Sequence, residues 1–167
     1  MEVTTDKIKE LREKSGAGVM ACRSALLEAE GDIEKALECL RQKDLIQAKK
    51  KAERVARQGL VEAYVHSGGR IGAMIEVNCE TDFVARTGEF KELAHNLAMQ
   101  VAALAPQYIS KEEMPEGADV EPQMACLLLQ PYIKEPEKTI QDIITEAIAK
   151  LGENIKVGRF ARFELGG

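Results

Sequence analysis

The chain reads as an α+β protein: a three-helix head, a helical linker, then a three-stranded antiparallel sheet packed with helices. Three observations carry that reading. Apolar residues recur at helical spacing through residues 4–42. The period changes from 3.6 to 2 at Gly59. All five prolines fall between Pro106 and Pro136, so the strongest local breaker is absent elsewhere. The expected organisation is a head over 1–42, a basic helical linker over 43–57 and an α+β core over 58–167.

Thr4 or Thr5 caps the first helix, Asp6 sits in its first turn, and Ile8 and Leu11 set its stripe. Ser15-Gly-Ala-Gly18 breaks it. Val19, Cys22 and Leu26 give the stripe of a second helix, which Gly31 stops. Asp32 caps the third, where Ile33, Ala36, Leu37 and Leu40 follow the i, i+3, i+4, i+7 pattern. Residues 42–57 carry six basic and two acidic groups with no Gly or Pro, which continues helix three or forms a helical linker.

Beyond Gly59, Val61, Ala63 and Val65 alternate with Glu62, Tyr64 and His66. Ser67-Gly-Gly69 makes a hairpin turn, and Ile71, Ala73, Ile75, Val77 and Cys79 line one face of a second strand. Thr87 caps a helix whose stripe is Phe90, Leu93, Ala94, Leu97, Val101 and Leu104. Residues 106–138 are expected to be irregular, with one short apolar element from Met124 to Leu129. Thr139 with Asp142 forms a capping box for a helix carrying Ile140, Ile143, Ile144, Ala147, Ile148 and Leu151, and Gly152 ends it. Ile155 to Leu165 is the last strand, with Gly158 marking a bulge or a close approach. Such a sheet has edges that need cover, and dimerisation supplies it.

Composition excludes several functions. At 45% apolar and 31% charged residues the chain is globular rather than disordered. Its net charge of −5 argues against a surface that grips phosphate backbones. With no Trp, three Tyr and four Phe, the chain is poor in the aromatics a base-stacking platform needs, and any exposed Phe stands out. Charge is uneven: residues 1–57 are net +2 and the remaining 110 are net −7. Lys49, Lys50, Lys51, Arg54 and Arg57 could mark a nucleic-acid footprint, but the run is short, and a solvated helical face is the preferred reading. Cys22, Cys39, Cys79 and Cys126 lack ligand spacing and read as reduced thiols of a cytoplasmic protein. No apolar run suggests a signal peptide or a membrane span.

The catalytic census is thin. His66 and His95 sit in no metal spacing, and no nucleophile motif accompanies them. Ser15-Gly-Ala-Gly-Val19 follows a helix and lacks the Gly-Lys-Ser ending of a phosphate loop, so it is an inter-helix turn. No cofactor, metal site or enzymatic chemistry is expected. The unusual segment is Glu76 to Arg86, where a strand ends and Thr81, Asp82, Phe83 and Val84 precede the next helix. Phe83 either protrudes as a wedge for an apolar pocket on a partner or turns inward as core; composition and spacing weigh the two evenly.

Those residues also carry a resemblance. Glu10-Leu-Arg-Glu-Lys-Ser-Gly-Ala-Gly-Val-Met-Ala-Cys-Arg-Ser-Ala-Leu26 resembles a signature of the elongation factor Ts family, as does Glu76-Val-Asn-Cys-Glu-Thr-Asp-Phe-Val-Ala85. Gln130-Pro-Tyr-Ile-Lys134, Glu146-Ala-Ile-Ala-Lys-Leu-Gly-Glu-Asn-Ile155 and Arg159-Phe-Ala-Arg-Phe163 are similar too. The resemblance implies a guanine-nucleotide exchange factor for elongation factor Tu that binds the GDP form and promotes GDP release. It implies a ubiquitin-associated-like head, with Leu11, Val19 and Met20 as apolar docking contacts. It implies that Thr81, Asp82, Phe83 and Val84 push between helices of the partner and disturb its Mg²⁺ site. Val19 and Ala21 stand where the family often has Met and Asp, so docking at Val19 is expected to be weaker or repacked. The length allows one sheet-and-helix core, which on this resemblance implies a homodimer. A passive binding module and an RNA-binding protein are the rival readings.

Overall fold

The computed structural model describes residues 3–167. It confirms the mixed helix-and-sheet class and divides after Lys50 into two compact units.

In the first unit α1 (Thr5–Ser15), α2 (Val19–Glu28) and the start of α3 (Ile33–Lys51) enclose a small core. Leu11, Cys22, Ala25, Leu26, Ala36 and Leu40 fill it. The Thr4 hydroxyl accepts from the Lys7 amide at 3.4 Å, and the Asp32 carboxylate accepts from the Lys35 amide at 3.0 Å. Gly16 reverses the chain after α1 at φ 68°, a left-handed angle that costs glycine least. Helix α3 ends at Lys51, so residues 52–57 are not helical as the linker reading expected. The carbonyls of Ala52 and Arg54 bond instead to the Asn154 side-chain amide at 3.3 and 2.7 Å.

The second unit is built on β1 (Gln58–Val65), β2 (Ile71–Cys79) and β5 (Lys156–Glu164), antiparallel in the order β1-β2-β5. After β2 come α4 (Asp82–Ala85) and α5 (Gly88–Leu104). A short α6 (Pro122–Ala125), the hairpin β3 (Pro131–Tyr132) and β4 (Glu135–Thr139), and α7 (Ile140–Leu151) complete the chain before β5. Helix α5 packs across the sheet. Its Phe90, Leu93, Ala94, Leu97 and Val101 are buried, as are Ala73, Ile75, Val77 and Cys79 of β2. Leu104, at the end of the expected stripe, is partly exposed. The capping box of α7 is present, with Thr139 and Asp142 each accepting from the other's backbone.

Two glycines let the strands meet at the same place. Glu76 pairs with Arg159 and Val77 with Val157, so Gly158 is the extra residue of a bulge. A Cβ there would lie 2.6 Å from the Asn78 side-chain oxygen. Gly59 has φ 140°, and a Cβ on it would run into the Val77 carbonyl. The dyad spacing at Gly158 therefore signals both a bulge and a close approach.

The segment 106–138 is more ordered than its prolines suggest. Buried Gln100 donates to the Gln130 side chain at 3.2 Å and to the Pro131 carbonyl at 3.1 Å, and accepts from the Ile133 amide at 3.0 Å. Gln130 in turn donates to the carbonyls of Met124 (2.7 Å) and Leu104 (3.3 Å). Two buried amides thus satisfy the backbone of a segment with too few apolar residues to hold itself.

The outer face of the sheet carries no helix-facing residues of β2. Register places Val61, Ala63 and Val65 beside Glu76, Met74 and Gly72, and Met74 beside Ala161. Val61, Val65, Met74 and Phe163 on this face are each more than half exposed. The apolar set of β1 thus points away from the core, and Glu62 and Tyr64 occupy the half-buried side.

Candidate functional site

Strand β2 ends at Cys79, and the next residues must leave the sheet with unpaired amides. Thr81, extended at φ −125° and ψ 153°, caps α4 by accepting from the Val84 amide at 3.3 Å. The one-turn helix then splits its residues by direction. Val84 and Ala85 are buried at the sheet edge, while Phe83 projects outward with 83% of its surface exposed. Asp82 pairs with Arg86 at 2.7 Å, and both are largely in solvent. Thr87 closes the turn: its hydroxyl donates to the Val84 carbonyl at 2.8 Å and accepts from the Phe90 amide at 3.2 Å.

The four expected residues therefore stand together but differ in role. Phe83 and Asp82 are presented to solvent. Thr81 is a cap, and Val84 is an anchor whose side chain faces inward. Exposure of Phe83 excludes the core reading, since a core role requires burial. Exposed, its ring forgoes most of the roughly 1.5–3 kcal/mol that full burial of a Phe side chain is worth.

A residue that the sequence reading did not single out completes the turn. Glu153, just past α7, accepts from the amides of Glu80 and Thr81, both at 3.0 Å, and from the Thr81 hydroxyl at 2.6 Å. The Cys79 thiol donates to the Thr81 carbonyl at 3.1 Å; burial, then the nearby Glu153 charge, pushes that thiol above its ordinary pKa. The sequence placed Glu153 only within the family-like stretch Glu146 to Ile155 and just after the helix-ending Gly152, which fixes where the chain reverses but not what it meets.

In the head, Met20 is 68% and Val19 49% exposed. Leu11 is fully buried between α1 and α2, so it is a core residue and offers no surface for docking. Its stripe with Ile8 turned it inward, and the expectation of a direct contact is corrected on that ground. Of the histidines, His95 meets the Glu62 carboxylate at 2.9 Å and His66 meets the Tyr64 hydroxyl at 2.9 Å. Among the described residues no group of three or more His, Cys, Asp or Glu is arranged to hold a metal ion. No helix of the described residues is long and apolar enough to cross a membrane.

Comparison with known proteins places these features. The family model described as "Elongation factor TS" matches residues 4–123. An elongation factor Ts of Carboxydothermus hydrogenoformans is 50% identical, covering 98% of this chain and 89% of the relative. One from Caldanaerobacter subterraneus subsp. tengcongensis is also 50% identical, over 98% and 97%. One from Thermotoga neapolitana is 49% identical, over 99% and 98%. Each alignment runs over 194 positions against the 167 residues here, so each relative carries residues that this chain lacks.

The matched family model and these relatives make the chain one of the translation elongation factors. Within that class the chain belongs to the elongation factor Ts family.

Proposed function

We propose that this protein is the guanine-nucleotide exchange factor for elongation factor Tu, acting on its GDP form in the cytoplasm. The observation that supports this most directly is Phe83, exposed on a turn whose ends are pinned. A small ring on a fixed mount is suited to entering an apolar crevice, and the adjacent Asp82 is suited to a polar rim.

The proposed mechanism needs no bond-making chemistry. GDP is held through its phosphates and a Mg²⁺ bound to protein oxygens. A wedge that displaces those oxygens removes charge compensation from the diphosphate, and GDP leaves. Linkage makes the effect reciprocal: the factor by which bound Ts weakens GDP binding is the factor by which GDP weakens Ts binding. The complex is therefore transient, and GTP rebinds. Thr81 and Val84 serve as mounts, and Val19 and Met20 as the docking surface of the head. The factor has no cofactor or metal of its own in this account, and neither nucleic acid nor membrane is a partner.

Stopped-flow release of fluorescent GDP from elongation factor Tu tests the assignment. Release should accelerate saturably with added factor, and an unaltered rate at all concentrations would contradict it. Met20→Asp should raise the half-saturating concentration about tenfold, a usual cost for an interface anchor, with little change in the plateau. Its melting temperature should not move, because an exposed side chain contributes within about 0.5 kcal/mol.

The open sheet face suggests that the working unit contains two copies. Val61, Val65, Met74 and Phe163 are apolar and uncovered, and a second copy would present the same surface in a self-complementary pairing. Light scattering should give about twice the 18.4 kDa chain mass. Met74→Lys, at the centre of that face, should return the single-chain mass. A wild-type chain of single mass at high concentration would remove the dimer.

A further inference from the structure

We propose that Glu153 is a positioning residue for exchange: its carboxylate fixes the turn that aims Phe83. This inference rests on the exchange reading above and concerns how the wedge is held.

The contacts form a reciprocal clasp between two acidic residues 73 positions apart in the sequence. Glu153 Oε2 accepts from the amides of Glu80 and Thr81, and its Oε1 accepts from the Thr81 hydroxyl. In the other direction Glu80 Oε1 accepts from the Asn154 amide at 2.7 Å and lies 3.6 Å from the Arg54 guanidinium. Asn154 is buried, and its side chain is committed to the carbonyls of Ala52 and Arg54. The residue pair 153–154 is thereby tied to the segment before β1, and the turn after β2 is tied to that pair.

Three physical points give the clasp its consequence. Successive amides leaving a strand lack ladder partners, and one carboxylate oxygen satisfies both with charge-assisted bonds. The Thr81 hydroxyl has one proton. Given to Glu153, it leaves a lone pair aimed at the Val84 amide, so the cap of α4 is oriented by Glu153. Finally, 83% of the Phe83 surface is free, so side-chain packing contributes little to its aim and the backbone of the turn chiefly sets its direction. A wedge misplaced by about 1 Å loses a large part of its effect. Glu153 thus acts on the exchange step through Phe83, without touching the partner.

The test is GDP release from elongation factor Tu titrated with wild type, Phe83→Ala, Glu153→Ala, the double variant and Glu153→Gln. All are measured well below their melting temperatures, which are recorded in parallel. Glu153→Ala should lower the plateau about tenfold while the half-saturating concentration stays within about twofold. Glu153→Gln keeps a carbonyl oxygen for the two amides and should recover most of the plateau. In the Phe83→Ala background, removing Glu153 should slow release by no more than about twofold, since both changes disable one unit. If Glu153→Ala does not fold, the same cycle is run with Glu153→Gln, whose smaller loss should likewise vanish without Phe83. A wild-type plateau for Glu153→Ala (or for Glu153→Gln where only that variant folds), or losses that multiply in full in the double variant, would overturn the clasp. A wild-type plateau for Phe83→Ala would instead overturn the wedge reading on which it rests.

Discussion

Phe83→Ala is expected to lower the saturating rate of GDP release from elongation factor Tu roughly thirtyfold, about the 2 kcal/mol that a central aromatic anchor carries. The same substitution should leave folding nearly untouched. Phe83 is 83% exposed, so truncation opens no cavity and removes almost no buried area. Its backbone supports remain, because Thr81 and Val84 hold the turn through main-chain and hydroxyl contacts that do not involve the ring. Thermal unfolding followed by circular dichroism should therefore overlay that of the wild type. Early cooperative unfolding would mean that the ring belongs to the core. An unchanged plateau would mean that something other than Phe83 drives release.

Phe90→Ala should do the reverse. Seven residues further along, Phe90 is the largest side chain in the core with no exposed surface. It sits in the first turn of α5, where its amide completes the Thr87 cap, and its ring is fully buried. Its removal leaves a cavity that rigid strands cannot close, at a cost of about 3–5 kcal/mol. For a chain of this size the melting midpoint should fall on the order of 10 °C or more. A midpoint within a degree or two of wild type would contradict the placement of the core.

These two phenylalanines show what was legible in the sequence. Phe90 belongs to a helical stripe with Leu93, Ala94, Leu97 and Val101, so periodicity alone turned it inward. Phe83 lies in a helix of four residues, too short to carry a period, and only coordinates could decide its direction. The caps at Thr4, Asp32, Thr87 and Thr139 were readable because capping is local chemistry. Leu11 was readable from its stripe, and the family resemblance pointed the other way; burial followed the stripe.

What stayed hidden was long-range and polar. The β3–β4 hairpin has no apolar alternation and is held by Gln100 and Gln130, whose amides say nothing in sequence about their partners. Glu153 reaches a turn 72 residues away. The open face of the sheet was masked because β1 carries apolar groups on both sides, and register with β2 was needed to tell them apart. Side-chain periodicity reports the face an element buries, but a carboxylate that holds a distant backbone leaves no period.

On the proposed reading, this protein evicts GDP and is then released to act again. The most direct test preloads elongation factor Tu with fluorescent GDP, supplies excess GTP, and adds far less factor than Tu. Complete GDP release is expected, with each factor molecule discharging many Tu molecules. Release that stops at one GDP per factor molecule, or that proceeds no faster than without it, would contradict the account.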